Sequence, residues 1–306
     1  MHRLRAGLAF AALLAAAAPC FAGLPQLCDR SHEPSAQEQD LLLRFGALVK
    51  AELAASGREA ALIARAGLDL YRLDVRYSHS GVVLKDGADA PWTIRQLYFA
   101  CEERKPRIFD QGMAGFMLGT DDPSASWVSL VLLPPAQSAA LARAAADRHQ
   151  ALRVLGATYS ANSYPFSTRY QNCNQWTVEL LAQAMGAGDD AGDADARDRA
   201  QRWLYGQRYA PTVFTVSARP MTLLADVVPW LHNDDHPPWE LAAGRYNVSM
   251  PLSIETFVHR TVPEAERVEL CRSGRHVVIH RGWDAIADGC VAAPGDRELE
   301  LGAGTS

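Results

Sequence analysis

Lysine is scarce: Lys50, Lys85 and Lys105 are the only three among 30 basic residues, and the formal net charge is −5. No basic cluster interleaved with aromatics is present, so a nucleic-acid partner is not expected. The chain also lacks a phosphate-binding glycine loop, a dinucleotide fingerprint and a G-x-S-x-G serine motif. Nucleotide chemistry and that kind of serine nucleophile have no basis in it, and no cofactor is expected. There is no internal repeat, and no linker long enough to separate two domains. What is present suits a soluble globular protein with a real core: 48% hydrophobic and 21% charged residues over 306 positions.

The N-terminus reads as a secretory signal. Arg3 and Arg5 precede an apolar run over residues 6–18, and Pro19-Cys20-Phe21-Ala22 ends in a small residue. The run is too short to cross a bilayer, so no transmembrane segment is expected after cleavage. Residues 1–22 are the expected signal peptide, and 306 − 22 = 284 residues (23–306) form a single domain with a β-rich C-terminal extension. The expected location is the periplasm or the exterior.

That compartment makes cysteine counting useful. The mature chain keeps Cys28, Cys101, Cys173, Cys271 and Cys290, an odd number where thiols oxidise. Cys271 and Cys290 flank a region that reads as a hairpin, residues 267–270 and 276–280. Cys28 and Cys101 would tie the N-terminal segment to the end of a strand. Cys173 is then left over. Spacing alone leaves connectivity open, including an arrangement in which Cys173 is bridged and another thiol is free.

The pattern predicts a helix over 35–54, a second short helix over 60–68 broken by Gly67, and a strand carrying His79. A turn over 85–91 leads to a second strand over 92–100. Trp92, Ile94, Gln96 and Tyr98 share one face of that strand, where Gln96 can stand beside His79. A strand over 126–133 precedes an alanine-rich helix over 136–152. Residues 188–195 read as an acidic surface loop without the ligand spacing of a calcium loop. A short helix follows over 200–205.

Cys173 opens the remaining helix, which stops at Gly186; Trp176, Thr177, Leu180 and Ala184 mark the inward stripe it shares. A thiol at a helix N-terminus lies beside unpaired N–H groups and the positive end of the macrodipole, which favour the thiolate. A distant histidine brought to it by the fold completes the minimum for thiol catalysis. The expected roles are Cys173 as nucleophile, His79 as base and acid, and Gln96 as the group orienting the imidazole. Tyr170, Asn172 and Asn174 are the substrate or oxyanion candidates. Alone, each has an ordinary reading: a hydrogen-bonded strand histidine, a small apolar cysteine, a strand glutamine. Their combination raises the catalytic one.

Ser78-His79-Ser80-Gly81-Val82 followed by Asn172-Cys173-Asn174-Gln175-Trp176 resembles the circularly permuted papain-like proteins, related to NlpC-type cell-wall peptidases and lecithin retinol acyltransferase. There, too, the histidine strand precedes the cysteine helix. More closely, the chain resembles an uncharacterised bacterial family, domain of unknown function 2145. The matching stretches include residues 77–81, 92–101, 109–112, 168–176, 234–237 and 251–255. The resemblance implies an α+β fold with a permuted papain-like core, an antiparallel sheet packed on the Cys173 helix. The third polar residue of the wider group is commonly histidine, where this chain has Gln96.

The expected function is a periplasmic thiol hydrolase, a peptidase or amidase acting on peptidoglycan peptides, with a cell-envelope peptide or acyl group as partner. Two alternatives stand beside it: a non-catalytic envelope-binding or assembly protein, and a thiol acyltransferase or thioesterase. A metal site is a weak competitor. His232 and His236 are four apart with carboxylates between them, but Pro237-Pro238 argues against a helix there and no third ligand is identifiable. No metal is therefore expected.

Overall fold

The computed structural model describes residues 34–68, 70–87, 90–187, 196–216 and 228–302. The expected signal segment, Cys28 and the acidic stretch at 188–195 that was read as a loop lie outside them.

Helix α1 (Ala36–Ser56) begins at a capping box, in which Ser35 and Glu38 each satisfy the other's backbone N–H. Residues 60–65, expected as helix, form strand β1 (Ala60–Arg65) instead. All six are buried, so both faces are apolar and the alternation that marks a half-exposed strand is missing. Strands β2 (His79–Leu84), β3 (Thr93–Ala100) and β4 (Lys105–Gln111) follow as a meander. Next come α2 (Met113–Leu118) and β5 (Ala125–Leu132).

The single alanine-rich helix expected over 136–152 is two, α3 (Pro135–Ala146) and α4 (Arg148–Arg153). Asp147 leaves helical geometry and caps α4, its carboxylate accepting the N–H groups of His149 and Gln150. Helix α5 (Cys173–Ala182) is buried along its whole length, not on one stripe. Then come α6 (Ala196–Gly206), β6 (Thr212–Thr215), α7 (Pro238–Ala242), β7 (Arg245–Val248) and α8 (Pro251–Thr261). Strands β8 (Glu266–Ser273), β9 (His276–Arg281) and β10 (Arg297–Glu300) end the fold.

Eight strands form one antiparallel sheet in the order β10-β9-β8-β5-β1-β2-β3-β4, while β6 and β7 pair separately. Helices cover both faces. Ala61, Ile63, Val83 and Ile94 pack with α1 and α2; Ala60, Leu62, Val82 and Leu97 pack with α3, α5 and α8. The fold is thus α+β, an antiparallel sheet on which the cysteine-bearing helix rests.

Cys271 and Cys290 form a disulfide across 19 positions, and Cys101 is also oxidised in a disulfide. Replacing Cys271 and Cys290 by alanine is expected to lower stability by about 3 kcal/mol, because the bridge no longer restricts the unfolded chain. Urea unfolding under non-reducing conditions measures this; an unchanged midpoint contradicts it.

Candidate active site

Cys173 is the free cysteine among the described residues, the first residue of α5, and only 7% exposed. The helix starts there because Asn172 caps it: Oδ1 accepts the Gln175 N–H at 2.7 Å, and Nδ2 donates to the Ala161 carbonyl at 3.1 Å. Asn174 ties the helix to β2, accepting from Ser80 Oγ at 2.9 Å and donating to the Ser78 carbonyl at 3.2 Å. The backbone N–H groups of Ser80, Asn174 and Cys173 itself favour the thiolate.

Behind this turn lies a carboxylate with no exposure. Glu179 accepts from Gln171 and Gln201 at 2.7 Å, from Gln175 at 2.9 Å, and from Arg197 at 2.8 and 3.1 Å. Arg197 also donates to the carbonyls of Thr168 and Tyr170. One ion pair therefore fixes both the loop entering the helix and the helix itself.

On β2, His79 Nε2 and Gln96 Oε1 are 2.7 Å apart, and Gln96 Nε2 donates to Gln111 Oε1 at 2.7 Å. Since Gln96 presents its oxygen, the neutral imidazole carries its proton on Nε2 and a lone pair on Nδ1. Among the described residues Nδ1 has no hydrogen-bond partner. The ring stacks on Tyr98 at 4.7 Å and meets Phe116 at 6.3 Å. The contact anticipated between His79 and Gln96 is present. Gln111, which locks the amide, was not legible beforehand.

Alternation along β2 puts His79 and Ser80 on opposite faces. His79, Gly81 and Val83 pair with Arg65, Ile63 and Ala61 on the α1–α2 face. Ser80, Val82 and Leu84 pair with Ala64, Leu62 and Ala60 on the face that α5 covers. Ser80 bonds Asn174, the residue after Cys173, while the His79 ring meets Tyr98 and Phe116. Among the described residues no hydrogen bond joins thiol and imidazole.

The expected thiolate–imidazolium pair is thus not the resting state. Burial pushes the thiol up to about 11, against the opposing pull of the surrounding N–H groups and Arg65. Burial, helped by Arg65, pushes His79 down to about 3, while the bond to Gln96 works the other way. Desolvation outweighs the helix terminus because neither group has a charge partner. Alkylation of native Cys173 by iodoacetamide is expected to rise about tenfold per pH unit from pH 7 toward 11, following the thiolate fraction. A rate that is already flat at neutral pH contradicts a resting neutral thiol.

The remaining candidates have structural partners. Tyr170 stacks on His232 at 4.3 Å. The His236 ring bonds the Asn162 carbonyl at 2.7 Å and lies between Tyr164 and Tyr246. The two histidines of the weak metal candidate therefore face different neighbours. Among the described residues no group of three or more His, Cys, Asp or Glu side chains is placed to hold a metal. Sequence reasoning missed Arg65, the register partner of His79, because its segment was expected to be helix.

A family model described as an uncharacterized protein conserved in bacteria, domain of unknown function 2145, matches residues 52–258. The chain belongs to this family. The matched span contains His79, Gln96 and Cys173, so all three groups of the site lie within the family's own domain. No curated protein and no solved structure matches the chain. No helix among the described residues is long and apolar enough to cross a membrane.

Proposed function

We propose that this protein is a cell-envelope thiol hydrolase, a peptidase or amidase that attacks peptidoglycan peptides through Cys173. The observation that carries the reading is a free thiol on the first residue of a helix, beside the N–H groups of its opening turn. Those donors suit both a thiolate and the oxyanion formed when sulfur adds to a carbonyl. His79, held by Gln96 with its lone pair on Nδ1, is the base. It takes the thiol proton as attack proceeds and returns it to the leaving amine. Attack needs Nδ1 within hydrogen-bond reach of the sulfur, a contact that in such sites often tightens only with substrate bound. The order of histidine strand and cysteine helix supports a permuted papain-like core, and the envelope location rests on the signal-like N-terminus.

Incubating the protein with muropeptides and reading products by mass spectrometry tests this. New fragments that vanish with Cys173→Ala are expected; unchanged muropeptides contradict it. A second reading, an envelope-binding protein that keeps the scaffold without turnover, is favoured by the neutral, unconnected resting thiol and imidazole. It predicts that Cys173→Ala retains full ligand binding and that no substrate is ever cleaved.

A further inference from the structure

Among the described residues Arg65, Arg197, Arg267 and Arg272 are the buried arginines. Arg197 meets Glu179, and Arg267 meets Glu255 at 2.8 Å and Glu269 at 3.2 Å. Arg272 reaches three carbonyls and the Ser126 hydroxyl. Arg65 has the fewest partners of the four. It is 4% exposed and has only the Tyr98 hydroxyl at 3.0 Å and the Ala66 carbonyl at 3.4 Å. Like Arg272, it has no carboxylate partner among the described residues and a buried Nε without a partner. A guanidinium offers five N–H donors, and leaving such a charge uncompensated in the interior is costly.

The surroundings are shaped to hold it there. The guanidinium lies over Phe116 at 5.2 Å. A Cβ on Gly67 would fall 2.8 Å from Nη1, and one on Gly119 would fall 2.5 Å from Nη2. Arg65 is also tied to the candidate site: it pairs in register with His79, and the Tyr98 that accepts its bond stacks on the imidazole. Ser80, the residue after His79, bonds Asn174, the residue after Cys173.

We propose that Arg65 is an anion-binding residue of this site, and that it takes a carboxylate carried by the substrate beside the bond offered to Cys173. Only the bond attacked rests on the hydrolase reading; the carboxylate site stands on the unpaired guanidinium. Occupation has a consequence for the base. The bare guanidinium disfavours a second positive charge on His79, and a bound carboxylate cancels that repulsion. A ligand without a carboxylate leaves the imidazole weakly basic and the thiol at rest.

Two alkylating reagents of nearly equal size separate the claims, because iodoacetate carries a carboxylate and iodoacetamide does not. With either, sulfur forms a bond to the methylene carbon as iodide leaves. On the folded protein, with the labelled peptide identified by mass spectrometry, Cys173 is expected to favour iodoacetate over iodoacetamide. The preference should be about tenfold greater than that of free cysteine. Arg65→Gln should bring the ratio back to that of free cysteine, and Arg65→Lys should keep part of it. Acetate should slow the first reagent more than the second, a test that needs no variant.

A wild-type ratio equal to that of free cysteine, or no labelling of native Cys173 by iodoacetate, overturns the proposal. So does an equal slowing of both reagents by Arg65→Gln, which would assign Arg65 to the thiolate alone. Preference for iodoacetate without any hydrolysis keeps the anion site and removes the hydrolase; hydrolysis without the preference does the reverse.

Discussion

Glu179→Ala is expected to destabilise the protein by about 3–5 kcal/mol, the range for breaking one half of a buried ion pair. The carboxylate has no exposure, and its removal leaves the Arg197 guanidinium charged in the interior beside the stranded amides of Gln171, Gln175 and Gln201. The cause is that uncompensated charge, so Glu179→Met combined with Arg197→Met should recover much of the loss. Denaturant unfolding of the single and double variants measures both. Additive losses would contradict the ion pair as the origin. The loop from Thr168 to Gln171 hangs on the same pair, so the single variant should also loosen the start of α5 and the placement of Cys173.

Cys173→Ala is expected to remove turnover entirely, and His79→Ala to lower it by about 10²–10⁴-fold, the usual contribution of a positioned acid–base group. His79→Ala also opens space between Tyr98 and Phe116, so its stability must be followed in parallel. Gln96→Ala should cost less, since it frees the ring without removing it, and should weaken the preference for a proton on Nε2. Product formation from muropeptides at fixed enzyme concentration gives these values. A His79→Ala protein that folds and retains full rate would remove the imidazole from the mechanism.

Much of this arrangement was legible in the residues. The turn between two apolar runs placed Gln96 next to His79, and an odd cysteine count in a chain read as exported pointed to Cys173 as the leftover thiol. The rest depended on tertiary packing. Strand β1 carries apolar side chains on both faces, so nothing in its pattern distinguished it from a short helix, and Arg65 was hidden with it. Which face of the sheet α5 covers is decided by the layers around it and had no local signal. Gln175 and Glu179 sit four apart on one helix, a hint of the buried hub, but its main partner Arg197 comes from a different helix. The helix terminus suggested a thiolate; only burial around Cys173 reverses that sign.

Trapping the covalent intermediate tests the central claim most directly. The protein is mixed with muropeptides, quenched in acid within the first turnovers, digested and analysed by mass spectrometry for the peptide containing Cys173. A thioester-linked acyl group on Cys173 is the predicted result, absent from His79→Ala at the same time point. An unmodified Cys173 throughout a reaction that releases new fragments, or no reaction with any envelope peptide, would contradict it.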